Sequence, residues 1–164
     1  MGKVRALGIS NFDASDEVLE KIMSESTVKP AVLQIECHPY AQRLAMREKV
    51  KPYGIHITCW FPLGGAMSNG ALFKDPTIIT IAKAHDKTPA QVILRWHMQE
   101  GFSAIPGASN PDYIKENIEI FDFELTDEEM AQMRGLNKEK RFFNMSLEEK
   151  ERAYIGKMQI PTNK

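Results

Sequence analysis

Four short stretches recur in a fixed order along this chain: Gly8-Ile9-Ser10-Asn11-Phe12, Gln34-Ile35-Glu36, Cys59-Trp60-Phe61-Pro62-Leu63-Gly64 and Ile105-Pro106-Gly107-Ala108-Ser109-Asn110. Each is an apolar or β-branched run that ends in polar, aromatic or glycine residues, and an amphipathic helical pattern follows each one. Repeated strand–loop–helix units put their loops at one end of a parallel sheet, and ligand sites of α/β folds lie at that end. The chain therefore reads as a set of ligand-facing loops.

Residues 3–10 read as the first strand. Asp13 can cap the helix that follows, with Asp16 three places on and apolar residues at Val18, Leu19 and Ile22. Lys29-Pro30 breaks that helix, and residues 31–36 make a second strand. A helix over residues 43–53 closes at Gly54. Residues 55–60 form strand three, and a Gly/Ser/Asn loop over 64–70 precedes a helix running from Asp75-Pro76 to His85. Thr88-Pro89-Ala90-Gln91 combines a threonine cap, proline in the first helical place and glutamine in the capping-box place. That helix carries Val92, Leu94 and Trp96 and ends at Gly101. Residues 102–106 are strand four, Asn110-Pro111-Asp112 opens another helix, and Thr126-Asp127-Glu128-Glu129 is a further capping box. One more helix is expected over 146–154. The order is β-α-β-α-β-α-α-β-α-α, with each crossover long enough for a right-handed βαβ connection.

At 164 residues, 43% hydrophobic and 26% charged, the chain can build one ordered domain with a real core. A net charge of −1 gives no attraction for nucleic acid or an anionic membrane. No apolar stretch approaches the ~20 residues of a membrane span. Residues 1–5 lack the apolar segment of a signal peptide, and the chain runs straight into a strand. The two cysteines, Cys37 and Cys59, end predicted strands and read as buried free thiols. With no histidine pair nearby they give no zinc site, and a reducing, cytoplasmic compartment fits them.

Residue chemistry leaves each loop residue two readings. Ser10 and Asn11 can pair with a planar amide ligand or simply serve the turn. Gln34, inside an apolar strand, bonds internally or aims at a ligand. Trp60 stacks on a flat ring or packs in the core. Residues 109–112, from Ser109, offer free N–H groups at a helix N-terminus, an anion site by geometry. His38 reads as a packed histidine unless a nucleophile or carboxylate partner is found. His56, His85 and His97 read as structural.

In order and spacing, these segments resemble the C-terminal half of an aldo-keto reductase. The similarity runs from Gly2-Lys3-Val4-Arg5-Ala6-Leu7-Gly8-Ile9-Ser10-Asn11-Phe12 to Phe121-Asp122-Phe123-Glu124-Leu125-Thr126. It includes Gln34-Ile35-Glu36-Cys37-His38-Pro39-Tyr40, Pro62-Leu63-Gly64, Lys87-Thr88-Pro89-Ala90-Gln91-Val92 and Ile114-Lys115-Glu116-Asn117. The resemblance implies an α/β fold, the parallel (β/α)4 half of a (β/α)8 TIM barrel plus C-terminal helices. The chain would be one domain, with βα units over 1–136 and a tail over 137–164. It further implies NADP or NAD as cofactor and a small aldehyde or ketone as substrate. Ser10, Asn11 and Gln34 would hold the nicotinamide carboxamide. Trp60 would stack on the nicotinamide ring, Leu63 and Gly64 would line the pyrophosphate, and Glu116 and Asn117 would contact adenine.

Two departures qualify these expectations. Gly107-Ala108 stands where many NADPH-using members have Lys-Ser, and Tyr113 where they have arginine, so both cations that would meet a 2′-phosphate are missing. Lys115 is the residue that could compensate. The family's catalytic Asp, Tyr, Lys and His belong to the first four units, and Tyr40 falls in the His-Pro-Tyr segment instead of the proton-donor motif. The chain is expected to carry the cofactor side of a carbonyl reduction and no catalytic residue. The alternative is a non-catalytic half-barrel, a homo-oligomer or the complement of an N-terminal half.

Overall fold

Burial alternates along the strands and fixes which way the sheet faces. The structure, a computed structural model, describes residues 2–13, 15–150 and 152. Four strands, β1 (Gly8–Ser10), β2 (Val32–Glu36), β3 (His56–Trp60) and β4 (Ser103–Ile105), pair in parallel in that order. Leu33, Ile35, Ile57 and Cys59 are buried, whereas Gln34, Thr58 and Trp60 between them are only partly so and His56 is exposed. One face is therefore packed and the other open.

Helices cover the packed face. The described helices are α1 (Asp16–Glu25), α2 (Leu44–Val50), α3 (Pro76–Ala84), α4 (Pro89–Gln99), α5 (Pro111–Ile118), α6 (Asp127–Gly135) and α7 (Leu147–Lys150). Leu19 and Met23 of α1, Met46 and Val50 of α2, Ile78 and Ile81 of α3, Val92, Ile93 and Trp96 of α4, and Met130 and Met133 of α6 join the strand residues in one core. Each such side chain contributes about 1.5–3 kcal/mol by leaving water.

The capping signals of α3, α4 and α6 are realised. Asp75 accepts from Thr77 N and Ile78 N, and Thr88 and Thr126 form complete capping boxes. Two local expectations change. The cap of α1 is Ser15, whose hydroxyl accepts from Val18 N, not Asp13. Asp13 is instead held in ion pairs with Arg43 and Arg141. The first strand is also shorter than residues 3–10. Its ladder begins at Gly8, opposite Val32 at the start of β2; the Ala31 N–H still reaches the Leu7 carbonyl at 2.8 Å, and Pro30 just upstream has no N–H to extend the pairing. Of the helix expected over 146–154, Leu147–Lys150 forms, and residues 151, 153 and 154 lie outside the described residues.

Asp75 does two jobs, since its second oxygen accepts the buried Tyr40 hydroxyl at 2.7 Å. Asp75→Ala removes a cap worth about 0.5–2 kcal/mol and orphans a hydroxyl at about 1–3 kcal/mol. A loss of about 2–4 kcal/mol is expected in urea unfolding. Adding Tyr40→Phe should restore about 1 kcal/mol, because no orphan hydroxyl then remains.

Candidate functional site

The C-terminal strand ends gather four of the expected residues. The ladder aligns Ser10 with Gln34 and Gln34 with Thr58, so these side chains form a row on the open face. Asn11 follows β1 in the left-handed region, φ 62°, a conformation asparagine tolerates. Its N–H donates to the Gln34 carbonyl at 2.9 Å, and its side-chain oxygen accepts from Trp60 Nε1 at 2.8 Å. The indole of Trp60 is thereby fixed above the strand ends, with the Phe61 ring edge-on at 4.8 Å.

Past Trp60 the chain turns sharply. Phe61, Gly64 and Gly65 all have positive φ, and the Gly64 N–H returns to the Phe61 carbonyl at 2.8 Å. A Cβ on Gly64 would stand 2.8 Å from the Ser68 side chain and 3.2 Å from Phe142, so this position requires glycine. The turn borders a cleft of about 530 Å³ that Leu63, Gly65, Ala66, Gly107, Ala108, Tyr113, Glu116 and Asn117 line together with Phe73 and 88–90. Leu63, Glu116 and Asn117 are thus brought into one cleft. Gly64 is buried behind it, and Ser109 is exposed in the β4–α5 loop without lining it. Asn110 caps α5 by accepting from Asp112 N at 2.9 Å. Glu116 bonds to the Thr88 hydroxyl. Lys115 pairs with Glu119 at 3.6 Å and lines the adjoining apolar groove instead of this cleft.

Glu36 is the functional-site residue that sequence reasoning missed. It lies fully buried at the end of β2, opposite Trp60 in the ladder. Residues 138–143 cross the strand ends to meet it. Lys138 N and Lys140 N donate to the Tyr40 carbonyl at 3.0 and 2.9 Å. Arg141 Nε donates to Glu36 Oε2 at 2.8 Å, and the amides of Phe142 and Phe143 reach Oε1 at 2.7 and 3.1 Å. The Phe142 ring stacks on His38 at 4.5 Å, and Phe143 meets Trp60 edge-on at 5.6 Å. His38 has the carboxylate partner that would distinguish it from a merely packed histidine, Glu36 Oε1 at 3.2 Å. Burial pushes the Glu36 carboxyl up, but bonds from His38, Arg141 and the two amides outweigh it and hold the group at about 2. Tyr40 is pushed up to about 12 by burial and by the Asp75 carboxylate it donates to, so its proton is committed there.

The other histidines also have partners. His56 Nε2 lies 2.8 Å from Ser103 Oγ, and His85 Nε2 lies 2.9 Å from Glu129.

Four parallel strands in sequential order with helices packed on one face make this chain a partial (β/α) barrel. The aldo/keto reductase family profile matches residues 1–138, and the chain belongs to that family. It is 43% identical over 139 residues to a 9,11-endoperoxide prostaglandin H2 reductase of Trypanosoma cruzi, covering 85% of this chain and 48% of the relative. It is also 43% identical over 145 residues to a morphine 6-dehydrogenase of Pseudomonas putida, covering 83% and 48%. Among solved structures, the aldo-keto reductase MGS-M4, from a deep-sea metagenome library of the Medee basin, superposes with a TM-score of 0.82 at 33% identity. That match covers 87% of this chain and 52% of the other. A Gox0644 mutant in complex with NADPH superposes with a TM-score of 0.75 at 38% identity, covering 86% and 49%. The chain spans about half the length of these relatives.

Because the Glu36 carboxyl is depressed in the folded state, its stabilisation is complete above the unfolded pKa, near 4.3, and is lost as pH falls toward 2. The depression corresponds to about 3 kcal/mol. Denaturant unfolding followed from pH 6 to pH 2 should show that much extra loss in the parent chain relative to Glu36→Gln. Parallel curves would mean that Glu36 is not the anchor of residues 138–143.

Proposed function

We propose that this chain is the cofactor-binding half of an NAD(P)H-dependent carbonyl reductase that takes aldehydes or ketones to alcohols. The observation that carries the reading is the row of Ser10 and Gln34 beside Asn11 and Trp60 at the strand ends. A carboxamide offers one carbonyl and one NH2, and a hydroxyl with two primary amides can satisfy both. Among the described residues, neither the Ser10 hydroxyl nor the Gln34 side-chain amide has a hydrogen-bonding partner, so both are available to a ligand. Trp60, tethered through Nε1, offers its indole as a stacking surface. The cleft with Leu63, Glu116 and Asn117 suits the adenosine end, where purine nitrogens need a donor and an acceptor. The dinucleotide, when bound, supplies the hydride. The residues of this chain hold the ring, exclude water from one of its faces and leave the other toward the open side of the sheet. The structural relative bound to NADPH and the relatives named as a reductase and a dehydrogenase support this reading.

Among the described residues, no cation lines this cleft to meet the 2′-phosphate of NADP. Gly107, Ala108 and Tyr113 occupy the lining, and Lys115 is engaged with Glu119 outside it. NADH and NADPH should therefore bind within about tenfold of each other in titrations of Trp60 fluorescence. A charge-assisted phosphate contact is worth about 1.5–3 kcal/mol, so Tyr113→Arg should tighten NADPH tenfold or more and leave NADH unchanged. NADPH already bound a hundredfold tighter by the parent chain would require another cation.

No side chain described here is placed to protonate the developing alkoxide, since Tyr40 donates to Asp75. With either cofactor and a simple aldehyde, the chain alone should show no turnover. A rate of ~1 per second or more would overturn that expectation.

A second reading, a half-barrel that associates with its own copy or with a complementary half, rests on the bare face and edges. Ile105 is 49% exposed on β4 and Leu7 is 52% exposed beside β1. Apolar area left in water costs about 25 cal/mol per Å², and unpaired strand edges seek partners. Residues 138–143 cover the strand ends at Glu36 and Trp60 but leave His56, Ser103 and Ile105 exposed. Sedimentation at micromolar concentration should give a dimer or larger species. A monomer that binds no hydrophobic dye would contradict this reading.

A further inference from the structure

On the helix-covered side of the sheet, away from the strand-end cluster, three soft donors meet. Cys37 follows β2, Cys59 lies in β3 and His97 in α4, and all three are fully buried. Their two sulfurs and an imidazole nitrogen lie within 4.8 Å of one another. We propose that Cys37, Cys59 and His97 form a binding site for a soft monovalent d10 cation, copper(I).

The imidazole is oriented as a ligand. His97 Nδ1 lies 2.7 Å from the Ile93 carbonyl, one turn back in α4, which places the proton of a neutral ring on Nδ1. With the proton there, Nε2, 3.2 Å from the Cys37 carbonyl oxygen, keeps its lone pair for a metal. The sulfurs are likewise prepared. The Cys37 and Cys59 side chains are in hydrogen-bond contact, so the two sulfurs already converge.

Ligand number and softness select the ion. Zinc prefers four donors, whereas thiolate and imidazole with only two or three donors suit copper(I). The spacing of the cysteines hid the site, because its third donor comes from α4, 60 residues beyond Cys37.

The test uses the full 164-residue chain under anaerobic conditions, titrated with copper(I) in competition with bicinchoninate. The chain has two cysteines, so any ultraviolet thiolate-to-copper band reports this site. One equivalent should bind with that band, and the thermal midpoint should rise because the ion binds the folded chain. Cys37→Ser should abolish the band, and His97→Gln should weaken binding at least tenfold. No band at one equivalent, or a falling midpoint showing that unfolded thiols bind the copper, would overturn the proposal. So would undiminished affinity in a folded His97→Gln variant, or displacement of copper(I) by equimolar zinc. The band and the midpoint are read on the parent chain, so they decide the matter even where a variant fails to fold.

Discussion

The β2–β3 ladder is the constraint from which the rest of the molecule takes its geometry. It pairs five residues of each strand, whereas each outer strand contributes three. Its parity sends Leu33, Ile35, Ile57 and Cys59 into the helix-packed core and leaves Gln34, Glu36, Thr58 and Trp60 on the other face. A slip by one residue would reverse every one of these assignments and bury an amide and a carboxylate under the helices. The apolar free energy of the core therefore holds the polar strand ends in register. Glu36 and Cys37 show how sharp that division is, since they are chain neighbours whose partners lie on opposite sides of the sheet.

Glu36 then organises what crosses the strand ends. A buried carboxylate without partners costs several kcal/mol, and β2 itself offers only His38 two residues on. The missing donors come from residues 141–143, whose guanidinium and two amides complete the shell. Asn137, accepting from Gln42 N at 3.1 Å, and the two bonds to the Tyr40 carbonyl bring that segment to the right place. Once docked, it delivers Phe142 to His38 and to the space over Gly64, and Phe143 to the edge of Trp60. The aromatic wall beside the strand-end row is therefore a consequence of satisfying one charge.

Local physics made most of the fold legible. Caps such as Asp75, Thr88 and Thr126 act through the next three residues, so their pattern is written contiguously and the helices start where it says. The same locality misassigned α1, because both Asp13 and Ser15 are chemically able to cap and the choice was made by Arg43 and Arg141, distant in sequence. The strand-end residues were legible through their place in the βα pattern and the family resemblance. The Glu36 shell and the donor set of Cys37, Cys59 and His97 were not, because they join residues 105 and 60 positions apart, for which no periodicity or spacing rule exists.

The open face links stability to chemistry. A parallel sheet is ordinarily buried on both faces, and this one packs helices on one alone. Ile105, Ser10 and His56 face out beside the free edges of β1 and β4. On the proposed reading, the nicotinamide would lie at that same face, with one side against Trp60 and the other exposed. A proton donor for a carbonyl reduction has to stand across the open side, within hydrogen-bond reach of the substrate oxygen. Any partner that pairs with the two edges would also occupy that position. Removing the apolar face from water and completing the chemistry are then one event. On that reading the cofactor-facing residues need not be strained or costly in themselves, because the group that would make them reactive would arrive with the surface that would make the sheet stable.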